Sequence, residues 1–411
     1  MRTPLLRKNF VLIVIGQIIS LFGNAILRFA LPLYLFDQTG SAALLGVVSA
    51  CSIVPAILLT PVGGIIADRV NKRNIMVALD FSTAALVLGC SLALGRVGLV
   101  PLLLAVLMLL YGIQGAYQPA VQASMPLLAE GQTLVTANAV INMVSSLAGL
   151  VGPVFGGMVY SENNLLPILY IGAGCFVFSA VMELFIALPH QRRPKNQSAL
   201  RTAAADMQES LRYIYRVKPV LGKITWIVMA FNLFLSSMLL IGMQVILRQT
   251  LAVDAVQYGF AQGALAVGGL LGGVLASVTG KTAQIRNAYR LLALCAAATL
   301  PIGLVLLGAP ALVSYWVLVA MGIVLMAFST MFTVQVLSYV QMETPRALTG
   351  KVIACLIAMS MCAQPLGQAL YGLLFETLPA AAVVLGAAVV AAGIALCSRA
   401  AFGGLEPAKQ A

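Results

Sequence analysis

The stretch Gly64-Ile65-Ile66-Ala67-Asp68-Arg69-Val70-Asn71-Lys72-Arg73 decides the fold. Its last six positions hold four charged residues and an asparagine, between apolar runs at 42–66 and 75–95. A membrane-spanning helix needs about 20 mostly apolar residues. Both flanking runs reach that length, so the polar segment is a tight loop joining two spans at one face of a membrane. Gly64 is small enough to let two helices approach closely. Asp68 is placed to accept hydrogen bonds from the N-terminus of a neighbouring helix, and Asn71 tolerates the left-handed turn that a short loop asks for.

Working outward, the same criterion predicts about twelve spans, near 10–36, 42–66, 75–95, 99–123, 134–160, 165–188, 223–247, 257–279, 288–308, 311–338, 348–374 and 379–401. Composition agrees. Of 411 residues, 61% are hydrophobic and 9% charged, whereas soluble domains carry roughly a quarter charged residues. The 24 Lys+Arg and 12 Asp+Glu cannot cover a water-soluble surface of this size. A soluble enzyme and a nucleic-acid-binding protein are thereby excluded, despite a net charge of +12. The run from Phe10 to Phe36 follows basic residues as a signal peptide would, but it is too long and has no small-residue cleavage site. It reads as the first span. Seven cysteines without CxxC spacing, each inside an apolar run, read as packed reduced thiols. With the single His190 in a charged loop, neither a metal site nor a cofactor is expected.

The connections are short except for 189–222. That segment holds Gln191-Arg192-Arg193-Pro194-Lys195, then Leu200, Met207, Leu211 and Ile214 at helical spacing among charges. The pattern predicts an amphipathic helix on the membrane surface. The expected organisation is a six-span bundle at 1–188, a linker at 189–222, a second six-span bundle at 223–401 and a tail at 402–411. Alternate loops sort the cations: twenty-one Lys+Arg fall on one side, Arg96 and Arg248 on the other, and Arg28 lies inside a span. The excess marks the cytoplasmic side, placing both termini and the central loop there. A weak repeat at an offset of about 213 residues sets Leu45-Gly46 on Tyr258-Gly259 and Arg73 on Arg286. Paired six-span halves are the layout of transporters whose site lies at the repeat interface.

Span 5 contains Gly149-Leu150-Val151-Gly152-Pro153-Val154-Phe155-Gly156-Gly157. Small residues at 152 and 156 make a close-packing face, and Pro153 frees a carbonyl. The spacing G-x-x-x-D-R-x-x-K-R of the first loop resembles the signature loop of the major facilitator superfamily, with Asn71 replacing the usual glycine. In that family the loop latches the halves when the cytoplasmic side is closed. The resemblance therefore implies that Gly64, Asp68, Arg69 and Arg73 are conformational residues. The core Gly152-Pro153-x-x-Gly156-Gly157 resembles the superfamily's antiporter motif, associated with efflux, although Ala148 stands where that motif prefers glycine. Asp37-Gln38-Thr39-Gly40-Ser41, Ala137-Asn138-Ala139 and Pro345-Arg346-Ala347-Leu348-Thr349-Gly350-Lys351-Val352 are similar to the macrolide-efflux and enterobactin-exporter branch. The resemblance covers essentially the whole chain. It implies an all-α membrane protein of two pseudo-symmetric six-helix bundles in which spans 1, 4, 7 and 10 line a central cavity.

Polar residues inside spans are expensive against lipid and mark the transport path. Span 1 carries Gln17, Asn24 and Arg28 on one face; span 4 carries Tyr111, Gln114, Gln118 and Gln122 on another. Asn142 in span 5, Asn232 and Ser236 in span 7, Gln335 in span 10, and Gln364 and Gln368 in span 11 extend the set. Of these, Asn24, Arg28, Tyr111, Gln114, Gln118, Asn142, Asn232, Gln335 and Gln364 are the expected substrate contacts. Arg28 and Glu183 differ in depth by roughly 15 Å at 1.5 Å per residue, so neither neutralises the other without a relay. Arg28 is expected to meet a substrate anion or backbone carbonyls, or else to snorkel to the outer interface. Glu183 is the expected proton-titrating group, because a carboxylate taken out of water is costly. Asp80 is assigned to proton coupling with it, or to the latch network.

Gly280-Lys281-Thr282 imitates the end of a Walker A loop, but Leu275 occupies a position that needs glycine and a membrane helix precedes it. Energy must come from an ion gradient. The expected protein is a monomeric, proton-coupled exporter of small amphipathic molecules such as drugs or siderophore-like compounds. It would sit in the bacterial cytoplasmic membrane, contacting lipid, a small-molecule substrate and a proton or other coupling ion, and work by alternating access. Uptake or lipid flipping is the alternative, and a receptor without transport is the alternative from another class.

Overall fold

The computed structural model describes residues 8–128, 132–187, 207–279 and 285–402. Twelve helices among them are long and apolar enough to cross a membrane, and no strand occurs among the described residues. In chain order they are α1 (Lys8–Thr39), α2 (Ala42–Arg69), α3 (Lys72–Ala93), α4 (Leu99–Ser124), α5 (Gln132–Val159) and α6 (Leu166–Leu184). The second six are α7 (Pro219–Thr250), α8 (Ala255–Thr279), α9 (Ala288–Val305), α10 (Ala311–Glu343), α11 (Arg346–Thr377) and α12 (Ala380–Phe402). A helix bonds its own backbone polar groups internally, which lipid requires. Large apolar side chains point outward freely: Val278 is 76% exposed and Leu312 68%, a cost in water but not against acyl chains.

Helix ends follow local chemistry. Gly40 turns the chain between α1 and α2 at φ +64°, a left-handed conformation that glycine adopts without steric cost. Asn71 is not left-handed as the sequence reading expected. It is extended (φ −60°, ψ 117°) and caps α3, its Oδ1 accepting from the Arg73 amide at 3.1 Å. That cap lets α3 begin at Lys72, three residues earlier than its apolar run suggests. α7 runs from Pro219 to Thr250 and contains π-helical turns at Asn232–Ser236 and Ile246–Thr250. α10 continues to Glu343, beyond its apolar core.

The chain divides into two compact units. The first takes residues within Met1–Gly40, Cys51–Asn196 and Asp254–Gly263. The second takes Ser41–Ala50, Gln197–Val253 and Ala264–Ala411. Each unit thus includes about ten residues from the opposite half of the sequence. In the first, Gly157 of α5 meets Ala255 and Gly259 at the start of α8; in the second, a Cβ on Gly46 of α2 would fall 2.7 Å from Gly372 Cα of α11. Gly46 and Gly259 are the two positions that the 213-residue repeat superimposes.

Small residues set the helix contacts inside each unit. Gly152 and Gly156 of α5 face Ala25 and Phe29 of α1, as the close-packing reading of span 5 expects. In the second unit, Gly268 and Gly272 of α8 lie on Ile323 and Ala327 of α10. In the first loop region the contact glycine is Gly63, not Gly64. A Cβ on Gly63 would stand 2.6 Å from Ala116 Cα of α4, whereas among the described residues nothing lies within 4 Å of one on Gly64. Neighbours on a helix point about 100° apart, and only Gly63 turns toward α4. Arg73 bonds the Leu184 carbonyl at the end of α6, where a cation suits the helix dipole.

The side chains of Asp68 and Arg69, the linker residues 188–206, the Gly280-Lys281-Thr282 segment from 280 onward and the tail from 403 lie outside the described set. Of the expected linker helix, residues 207–212 are helical and run into a π-turn at Tyr213–Val217. Lys351–Glu209 at 2.8 Å and Lys218–Glu343 at 2.9 Å tie this segment to α11 and α10.

Candidate functional site

The polar stripes of α1 and α4 face each other and form a ladder of three rungs. Gln17 Nε2 donates to Tyr117 OH at 2.6 Å, Asn24 Nδ2 donates to Gln114 Oε1 at 3.3 Å, and the Arg28 guanidinium lies 3.9 Å over the Tyr111 ring. Positions ascend on α1 as they descend on α4, as antiparallel neighbours must. The rungs use 111, 114 and 117, so Tyr117 takes the place that the sequence reading gave to Gln118. Gln118 is half-buried beside it and Gln122 is exposed.

The Gln17 end of the ladder is sealed and acidic. Tyr117 OH donates on to Glu183 Oε1 of α6 at 2.6 Å. Ser20 Oγ donates to Asp80 Oδ1 of α3 at 3.0 Å, and Ser179 Oγ, beside Asp80, donates to the Gly16 carbonyl at 3.0 Å. None of Gln17, Ser20, Asp80, Tyr117, Ser179 and Glu183 is more than 2% exposed. Phe10, Ile13, Met76 and Ile186 form an apolar plug past this cluster toward the α1 N-terminus. Asp80 shares this buried cluster with Glu183: it lies on α3, which packs on α6, and reaches Ser20 of α1.

Hydrogen bonding there is incomplete. Among the described residues, Gln17 Oε1, Asp80 Oδ2 and Glu183 Oε2 are buried acceptors with no protein donor in hydrogen-bonding range. Leaving such an atom unpaired costs about 1–3 kcal/mol, and three in one cluster form a set of acceptors short of donors.

The Arg28 end is open. Arg28 is exposed and Tyr111 half-buried. The guanidinium meets an aromatic face, not backbone carbonyls, and is remote from Glu183 as the depth argument expects. Exposed Asn142 lies on α5. In the second unit Asn232 donates to the Val228 carbonyl of its own helix at 3.1 Å, where the π-turn begins. Gln335 is half-buried with Oε1 unpaired, and Gln368 Oε1 is likewise unpaired. Gln364 offers its backbone carbonyl to Ser237 Oγ at 3.1 Å.

Sequence reasoning missed Tyr117, Ser20 and Ser179. Ser20 lies three residues from Gln17 and four from Asn24, and Ser179 four before Glu183, which was the available signal. Twelve spans in two units, with a ladder of polar side chains bonded between α1 and α4, are the frame of a polytopic membrane transporter. A family model described as Major Facilitator Superfamily matches residues 13–353, and the chain belongs to that superfamily. It is 26% identical over 412 residues to the multidrug efflux pump Tap of Mycobacterium tuberculosis, covering 97% of this chain and 95% of that one. It is 25% identical over 213 residues to macrolide efflux protein A of Streptococcus pyogenes, 52% of each chain. The nucleoside transporter NupG shares the fold, with TM-score 0.73 at 14% identity over 96% of this chain and 100% of that one.

Proposed function

We propose that the protein exports small amphipathic molecules across the bacterial cytoplasmic membrane in exchange for protons, by alternating access, as a monomer with both termini in the cytoplasm. The observation that carries the coupling is the sealed Asp80–Glu183 cluster with three acceptors and too few donors. One proton added to Glu183 Oε2 turns an unpaired acceptor into a donor with Asp80 Oδ2 and Gln17 Oε1 as candidate partners. Glu183 is the proton carrier and Asp80 the carboxyl beside it. Tyr117 and Gln17 connect that site to the ladder, so proton and substrate act on the same two helices.

Asn24, Arg28, Tyr111, Gln114, Gln118 and Asn142 supply substrate contacts from the first half. Asn232, Gln335 and Gln364 supply those of the second. Gly64, Asp68, Arg69 and Arg73 act as the latch. Gly152, Pro153, Gly156 and Gly157 keep α5 tight against its neighbours, and their resemblance to the antiporter motif favours export. The names of the Tap and macrolide relatives point the same way.

Everted membrane vesicles test the reading. With an imposed proton gradient, a fluorescent amphipathic cargo accumulates inside and a protonophore abolishes the accumulation. Glu183→Gln keeps cargo–cargo exchange and loses gradient-driven accumulation. Accumulation indifferent to the protonophore overturns the coupling; accumulation confined to right-side-out vesicles overturns the direction.

A further inference from the structure

The open end of the α1–α4 ladder carries one exposed charge, and that charge is positive. Arg28 rests on Tyr111, with the Asn24–Gln114 amide pair one turn away along α1. No carboxylate pairs with it among the described residues. Asp80 and Glu183, the carboxylates of the same unit that lie deep within spans, are enclosed and committed to Ser20 and Tyr117. A positively charged solute reaching this guanidinium meets a like charge. A negatively charged one meets a guanidinium that no carboxylate neutralises among the described residues.

The stacking refines the ligand. The Arg28 guanidinium carbon lies 3.9 Å from the Tyr111 ring centroid, within cation–π range, and among the described residues its N–H donors meet no carboxylate. An N–H fork matches the two oxygens of a carboxylate, and a planar ring can stack on an arginine's open face. We propose that Arg28 and Tyr111 form an anion subsite, and that preferred cargo is an amphipathic organic anion: a planar apolar body bearing a carboxylate or sulfonate. This rests on the exporter reading and narrows its cargo, selecting against the lipophilic cations that an acidic pocket would take.

A matched dye pair tests it. Fluorescein and rhodamine 123 share a planar xanthene body and carry opposite charge. Binding is read by fluorescence polarisation on the purified full-length protein in detergent, without any gradient. The wild type is expected to bind fluorescein at least about tenfold tighter than rhodamine 123, tenfold being 1.4 kcal/mol. Arg28→Ala collapses the ratio toward one, and Arg28→Lys keeps part of it through its charge while losing the fork and the stack. Because the readout is a ratio within one preparation, a partly misfolded variant still reports it. A wild-type preference for rhodamine 123, or a ratio unchanged in Arg28→Ala, overturns the anion subsite. Neither result touches the vesicle test of direction and coupling, which can fail independently.

Discussion

Adjacent glycines in α2 should respond oppositely to one added methyl group. A Cβ on Gly63 would lie 2.6 Å from Ala116 Cα, 2.9 Å from its carbonyl oxygen and 3.1 Å from its carbonyl carbon, all backbone of α4. Ordinary carbon contacts begin near 3.5 Å, so α2 and α4 must separate by several tenths of an ångström or more. No flexible side chain can move aside instead. Overpacking of this kind costs about 1–3 kcal/mol. On Gly64 the same Cβ has nothing within 4 Å among the described residues. Both substitutions gain the same helix propensity, about 1 kcal/mol for Gly→Ala, so the gain cancels in the comparison. Gly64→Ala should therefore be more stable than Gly63→Ala by about 1–3 kcal/mol. At about 2–4 °C per kcal/mol for a unit of 150–250 residues, the two midpoints differ by roughly 2–12 °C. The assay is thermal unfolding in detergent followed by a thiol-reactive dye on the buried cysteines. Equal midpoints, or a lower one for Gly64→Ala, would refute the close approach of Gly63 to α4. Transport adds a second reading: Gly64→Ala that melts normally but fails to transport places its role in a conformation other than this one.

Tyr117→Phe removes the hydroxyl that joins Gln17 to Glu183 and leaves two more buried groups unpaired, for a loss of about 2–6 kcal/mol; an unchanged unfolding midpoint contradicts the bridge. Asn71→Ala deletes the α3 cap and should cost about 1 kcal/mol, whereas Asn71→Asp, which keeps the acceptor, should retain stability in the same assay. Glu343 raises the Lys218 pKa by hydrogen bonding and by charge. A raised lysine pKa stabilises the fold while the ammonium persists, so this contribution is full at neutral pH and fades only as alkaline pH removes the proton. The pair is partly exposed, so Glu343→Gln should cost under about 1 kcal/mol at pH 7, and its difference from wild type should shrink in alkaline unfolding curves.

The twelve spans were legible because apolar length is a local property, and lipid demands it of each span separately. The ends were less so. α3, α7 and α10 extend through residues such as Lys72, Pro219 and Glu343, which a hydropathy criterion rejects although the backbone continues helical. Depth along a helix was also readable, which kept Arg28 and Glu183 apart. Rotation was not: Gly63 against Gly64, and Tyr117 against Gln118, differ only in which way a helix turns toward its neighbour. The Asp80–Glu183 meeting needs four helices in place at once, and serine and tyrosine are too common in spans to announce it. Asn71 was misread because a turn and a cap call for the same residue type.

The exchange of short segments between units bears on biosynthesis. The surface of α5 around Gly157 is covered by Asp254–Gly263, which leaves the ribosome roughly 67 residues after Asn196. At 5–20 residues per second this is a delay of about 3–13 s. Through that interval the first unit presents a bare glycine seam to the membrane, open to any helix with small residues. Ser41–Ala50 wait longer still for α11. Insertion of this protein therefore includes an obligatory late step, in which two early-made surfaces must remain vacant until their own chain returns to fill them.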